Sequence, residues 1–109
     1  MRVLIVDDSF LMRRIIRNII EKDNSLEVVG EAPDGIVALE KVAELSPDII
    51  LLDIEMPNMD GIEFLRNIAD QYYSGKIVLF SGVNPDLLKA TERLASVRGL
   101  NVIGTLAKP

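Results

Sequence analysis

The chain has no cysteine and no histidine among its 109 residues. The first absence excludes disulfides, thiolate metal sites and thiol nucleophiles. The second excludes the usual zinc ligands, the Ser-His and Cys-His hydrolases, and histidine as a phosphate carrier. Tryptophan is also missing, and the aromatics are limited to two tyrosines and three phenylalanines. Stacking platforms for single-stranded nucleic acid are therefore not expected. Acids outnumber bases 17 to 12, a net charge of −5. Such a domain gains nothing from a phosphate backbone, so direct nucleic-acid binding is not expected. No apolar run approaches the ~18 residues that cross a bilayer. The N-terminus, Met-Arg-Val-Leu-Ile-Val-Asp-Asp, lacks a signal-peptide layout because acids follow its short apolar stretch at once. A cytosolic protein with no membrane partner is expected. What remains is the chemistry of carboxylates, lysine and hydroxyls, with a hard metal.

The length suits one domain over residues 1–109, and about half of the residues are hydrophobic, enough for a sizeable core. Three short apolar runs stand out: Val3-Leu4-Ile5-Val6, Ile49-Ile50-Leu51-Leu52 and Ile77-Val78-Leu79-Phe80. Each is too short for a helix and shows no alternation, the pattern of strands buried on both faces of a parallel sheet. Leu26 to Gly30 is a fourth candidate strand. Asn101 to about Leu106 is a fifth, interrupted by Gly104.

Helical periodicity fills the gaps. From Ser9, a plausible N-cap, to Glu21, residues Leu11, Ile15, Ile16 and Ile19 share a face, and Arg13, Arg14 and Arg17 read as a solvated one. Asp34 caps a second helix ending near Leu45, with Ile36, Leu39, Val42 and Ala43 inward and Ser46-Pro47 as its stop. Asp60 caps a third, with Ile62, Leu65 and Ile68 inward. Asn84-Pro85 opens a fourth, carrying Leu87, Leu88, Thr91, Leu94 and Ala95, and Gly99 ends it. Alternating strands and helices predict an α/β fold with a doubly wound five-stranded parallel sheet. A sheet wound this way ordinarily ends in a fifth helix that shares a face with the first. No such helix follows here, so the domain reads as truncated before it. That face is expected to be covered by a continuation of the natural chain or by a partner, and self-association as a homodimer is expected of the open face.

In open parallel sheets ligands bind beyond the carboxyl ends of the strands. The first strand ends in Asp7-Asp8, the third in Asp53, the fourth in Ser81, and the fifth leads to Lys108. Taken singly, each reads as an ordinary turn or surface residue. Together they place polar groups at four strand ends after apolar interiors. Three gathered carboxylates repel one another, and a divalent cation relieves that. Oxygen donors that leave room for water and phosphate suit Mg²⁺. Lys108 supplies a point charge for a phosphate, and the Ser81 hydroxyl can bond a phosphoryl oxygen. Without Cys or His, the candidate nucleophile is a carboxylate, giving an aspartyl phosphate.

These residues resemble the receiver domain of bacterial two-component response regulators. Val-Leu-Ile-Val-Asp-Asp-Ser at 3–9 is similar to that family's opening acidic pair. Leu-Leu-Asp-Ile-Glu-Met-Pro-Asn-Met-Asp-Gly at 51–61 is similar to its phosphoacceptor strand and loop. Asp34-Gly35 with Ala38-Leu39 fits its second helix, Phe80-Ser81-Gly82 its hydroxyl position, and Leu106-Ala107-Lys108-Pro109 its closing lysine-proline. The resemblance implies a flavodoxin-like sheet of order 2-1-3-4-5. It implies that Asp53 accepts phosphate from a sensor histidine kinase. It also implies that Asp8 and Asp53 bind Mg²⁺, with Asp7 acting through water and Glu55 through its backbone carbonyl. Ser81 and Lys108 would contact the phosphoryl group, the Lys108–Pro109 bond would be cis, and Glu55 and Val83 would tune dephosphorylation. A partner protein or output domain would receive the signal. Thr105 stands where the family usually has a Tyr or Phe switch, so aromatic gating in its usual form is not expected. The first helix resembles chemotaxis-type receivers, stand-alone or fused to a methylesterase. The tail from Gly99 to Pro109 resembles receivers joined to EAL-type cyclic-diguanylate phosphodiesterases.

Two other classes compete. A small Mg²⁺-dependent phosphohydrolase with an aspartyl-phosphate intermediate, resembling the haloacid dehalogenase family, would place its nucleophile after the first strand, at Asp7, with a second Asp two residues on. Ser9 occupies that place. A non-phosphorylated interaction module would not need the whole set Asp8, Asp53, Ser81 and Lys108. A dinucleotide-binding domain fails because no Gly-rich turn follows the first strand.

Overall fold

The computed structural model describes residues 1–56, 59–82 and 85–108. Five strands, β1 (Arg2–Val6), β2 (Glu27–Ala32), β3 (Ile49–Asp53), β4 (Lys76–Ser81) and β5 (Asn101–Ala107), alternate with α1 (Phe10–Ile20), α2 (Gly35–Leu45), α3 (Gly61–Asp70) and α4 (Pro85–Val97). All strand pairs are parallel, and the sheet order is β2-β1-β3-β4-β5, as the resemblance implied. Asn84, Val83 and the Lys108–Pro109 peptide, on which three expectations fell, lie outside the described residues.

The lack of alternation in the apolar runs has its predicted cause. Leu4, Val6, Ile50, Leu52, Ile77 and Leu79 point to one face and enter the large core with Ala38 and Val42 of α2, Phe64, Leu65 and Ile68 of α3, and Leu88 and Ala95 of α4. Val3, Ile5 and Ile49 point to the other face and pack with Ile20 and Ile16 of α1. Among the described residues α1 is the only helix on that second face. An apolar groove of about 320 Å³ consequently runs between α1 and β5, lined by Met12, Ile15, Ile19, Val78, Phe80 and Leu106.

Helix ends follow local chemistry. Ser9, Asp34 and Asp60 accept hydrogen bonds from the backbone N–H groups of Met12, Val37 and Glu63, satisfying donors that a first helical turn leaves open. At the end of α4, Gly99 sits at φ +84°, Gly99 N–H bonds Ser96 O and Leu100 N–H bonds Ala95 O. That is a Schellman cap, which needs a residue at ease in the left-handed region.

Several sequence assignments are corrected. In α2 the buried stripe is Gly35, Ala38 and Val42, while Ile36 and Ala43 face outward. Gly35 sets that rotation, since a Cβ there would fall 2.6 Å from Met59 O. In α3 the buried residues are Gly61, Phe64, Leu65 and Ile68, with Ile62 only half-buried. Leu11 and Ile19 of α1 are largely exposed, Ile19 because it borders the open groove. Arg13 and Arg17 are not a solvated face; both reach across to Glu31 on β2. Gly104 does not interrupt β5. The strand runs through it, and the register with β4 shifts where Ile77 faces Val102 and Val78 faces Gly104, leaving Ile103 as an extra residue.

Candidate functional site

The sheet delivers its polar residues to one edge. Asp7 follows β1, Asp53 ends β3, Ser81 ends β4 and Lys108 follows β5. Asp7 and Asp53 are fully buried, and Ser81 nearly so, while Asp8 is exposed at the rim. A side chain buried at a strand end is held by its own ladder: Asp7 N–H still bonds Ala32 O, and Lys108 N–H bonds Ser81 O, extending the sheet beyond β1 and β5.

One cation serves two buried acids. Lys108 Nζ lies 2.9 Å from Asp53 Oδ2 and 2.9 Å from Asp7 Oδ2. It also sits 5.5 Å from the centre of the Phe80 ring. Asp53 Oδ1 accepts the Glu55 backbone N–H at 3.0 Å, and Asp7 Oδ1 accepts the Ser9 N–H at 2.8 Å. Burial pushes the Asp53 carboxyl up from its ordinary pKa, the Glu55 amide and Lys108 pull it back, and Asp7 adds repulsion; the net is upward. Burial pulls the Lys108 ammonium down, but its bonds to Asp53 and Asp7 outweigh this and its pKa rises.

Oxygen atoms of Asp7, Asp8 and Asp53 lie within 4.8 Å of one another. Oδ2 of the buried Asp7 has its ion pair with Lys108 but no aligned hydrogen bond. Three hard oxygen donors, one of them under-satisfied and one open to water, fit a small divalent cation such as Mg²⁺. The structure thus brings together the sequence-derived set Asp7, Asp8, Asp53, Ser81 and Lys108.

Two sets of contacts were not legible beforehand: the resemblance placed Glu55 among the residues that tune dephosphorylation but named no partner for its side chain, and it gave no role to Arg13. The Glu55 side chain, and not only its backbone, belongs to the site: Ser81 Oγ and the Gly82 N–H, the latter at 3.2 Å, both donate to Glu55 Oε1. The Arg13 guanidinium donates to Asp7 O at 2.6 Å while bound to Glu31, so the α1–β2 ion pairs buttress the acidic pair. The four-residue spacing of Arg13 and Arg17 was the available signal for the second. No local pattern signals the first.

A family model described as the response regulator receiver domain matches residues 3–109. A protein-glutamate methylesterase/protein-glutamine glutaminase of Trichodesmium erythraeum is 48% identical over 82 residues, covering 75% of this chain and 23% of that protein. One from Syntrophomonas wolfei is 40% identical over 108 residues, 99% of this chain and 30% of that protein. The chain therefore spans about a quarter of the length of these curated relatives. Among solved structures, the response regulator domain of Thermotoga maritima CheB superposes with a TM-score of 0.85 at 38% identity, covering 100% of this chain and 78% of that one. The CheX-CheY-BeF3-Mg+2 complex from Borrelia burgdorferi gives a TM-score of 0.84 at 30% identity, covering 99% and 78%. These likenesses agree with the chemotaxis-type reading of the first helix. No helix among the described residues is long and apolar enough to cross a membrane.

Proposed function

Since the chain belongs to the family of response regulator receiver domains, we propose that it works as a phosphorylation switch with Asp53 as the phosphoacceptor. One observation carries this assignment: a single ammonium, Lys108, 2.9 Å from both fully buried carboxylates, Asp7 and Asp53. Such a pair is costly to bury for structure alone, because the desolvation of three charges consumes most of their attraction. It suits a site built to receive further negative charge.

A carboxylate oxygen of Asp53 attacks the phosphorus of a kinase's phosphohistidine or of a small acyl phosphate. The new O–P bond forms as the P–N or P–O bond breaks, and its electron pair leaves with the imidazole or carboxylate. Lys108 then exchanges its Asp53 contact for a phosphoryl oxygen, and the Ser81 hydroxyl and Gly82 N–H are placed to bond another. Mg²⁺, held by Asp8 and Asp53, by Asp7 through water and by the Glu55 carbonyl, would neutralise charge on the transferring group. The partners are a sensor histidine kinase and an output domain or target protein, biased through the elements that Ser81 and Lys108 terminate.

Incubation with Mg²⁺ and acetyl phosphate, followed by intact mass, tests the assignment. A single phosphate adduct is expected, absent from Asp53→Asn and on chelation. An adduct that persists in Asp53→Asn, or none on the folded wild-type protein, overturns it. Turnover of a generic phosphomonoester would favour the phosphohydrolase reading.

A further inference from the structure

The groups best placed to grip a phosphoryl oxygen at Asp53 are already in use. Ser81 Oγ donates to Glu55 Oε1, and the Gly82 N–H donates to the same oxygen at 3.2 Å. A hydroxyl carries one hydrogen and a backbone amide carries one. Neither donor can serve Glu55 and a phosphoryl oxygen together. Glu55 lies two residues beyond Asp53, and its own N–H is tied to Asp53 Oδ1 at 3.0 Å. Its carboxylate therefore reaches across from the end of β3 to the end of β4 while its backbone stays fixed to the phosphoacceptor.

We propose that the Glu55 carboxylate is a built-in stand-in for the phosphoryl group: it occupies the Ser81 and Gly82 donors in the unphosphorylated protein and must be expelled when phosphate arrives. The inference rests on the phosphoacceptor reading of Asp53 and extends it with a positioning residue. The chemistry is competition between two anions for one pair of donors. Charge favours the exchange only at a cost, because Asp7, Asp8 and Asp53 are already gathered at this edge and Lys108 pairs with Asp7 and Asp53. The Glu55 bond thus holds the end of β4 in its resting arrangement and raises the phosphodonor concentration needed to leave it. Once displaced, the carboxylate moves toward solvent, where its charge is stabilised. Phosphorylation is thereby read out as the release of Glu55 as well as the capture of Ser81.

The test compares wild type, Glu55→Ala and Glu55→Gln, all of which keep the Glu55 carbonyl and N–H. The Gly82 amide resonance is recorded first in chelator, without phosphodonor. Glu55→Ala is expected to shift it and speed its hydrogen exchange, while Glu55→Gln, whose side-chain carbonyl still accepts, leaves it near the wild-type position. Phosphorylation is then followed by intact mass against acetyl phosphate concentration. The half-saturating concentration is expected to fall on the order of tenfold in Glu55→Ala, as expected for freeing donors held by a charged acceptor, and less in Glu55→Gln. An unmoved Gly82 amide in Glu55→Ala overturns the inference, as does a half-saturation equal to that of wild type. No adduct on any of the three proteins overturns the phosphoacceptor reading instead, and the amide, which needs no phosphodonor, then decides whether Glu55 holds the donors.

Discussion

Replacing Lys108 with methionine should expose how the acidic site is held together. Lys108 Nζ lies 2.9 Å from Asp7 Oδ2 and 2.9 Å from Asp53 Oδ2, and both acids are fully buried. At an effective dielectric of about 20, each contact is worth roughly 6 kcal/mol before desolvation. Methionine keeps the packing against Phe80 but leaves two buried carboxylates without a counter-charge. Breaking a buried pair in this way costs about 3–5 kcal/mol. The protein has one escape, which is to protonate Asp53. Protonating a carboxylate of ordinary pKa, about 3.9, at pH 7 costs roughly 4 kcal/mol at 1.36 per unit, which caps the loss at pH 7. A deficit of about 3 kcal/mol is therefore expected in chelator at pH 7, a fall in Tm of roughly 12–20 °C for a domain of this size. The sign with pH follows from the raised Asp53 pKa. The native state binds the proton more tightly than the unfolded chain, so stability rises as pH falls from the folded pKa toward the unfolded one. At pH 5 the cap drops to about 1.5 kcal/mol, and the deficit should shrink with it. Urea titrations of both proteins at pH 7 and pH 5 measure this. A loss below about 1 kcal/mol at pH 7, or one that grows on acidification, refutes the reasoning.

Three further outcomes are expected. Gly61→Ala would place a Cβ 2.5 Å from Ile54 Cα and 3.2 Å from Asp53 O, backbone that cannot yield, so it should cost about 1–3 kcal/mol and slow phosphorylation at Asp53. Gly104→Ala, with open space around it, should change stability by less than about 0.5 kcal/mol; denaturant melts and adduct formation distinguish the pair. Tyr73 is pushed up to about 12 by burial and by nearby Asp48, while its hydroxyl donates to Pro47 O at 3.0 Å. Its neutral form is favoured in the fold, so stability should decline as pH rises from about 10 toward 12, and Tyr73→Phe should lose that decline. An equal alkaline loss in both proteins, followed by circular dichroism, would contradict this.

Much of the architecture was legible in the sequence, because it is written in local patterns. Unbroken four-residue apolar runs can satisfy both faces only inside a covered parallel sheet, and Ser9, Asp34 and Asp60 cap helices through their own side chains. The strand ends then bring Asp7, Asp8, Asp53, Ser81 and Lys108 to one edge, since parallel strands present their carboxyl ends together. Periodicity did not settle which side of each helix turns inward. Phe64 and Gly35 are buried and Ile36 is not, because close backbone approaches such as Gly35 to Met59 O set the helix rotation. The four-residue spacing of Arg13 and Arg17 put both on one face but did not name Glu31 as their shared partner, and no spacing announced that Glu55 takes the Ser81 and Gly82 donors. Residue types and their order determined the sheet, its caps and the roster of charged groups at its edge. Which of those charges are buried, which one cation they share, and which donors are already occupied were decided only by the tertiary structure. Hydrogen bonds and ion pairs act over about 3 Å between residues that the chain separates by dozens of positions.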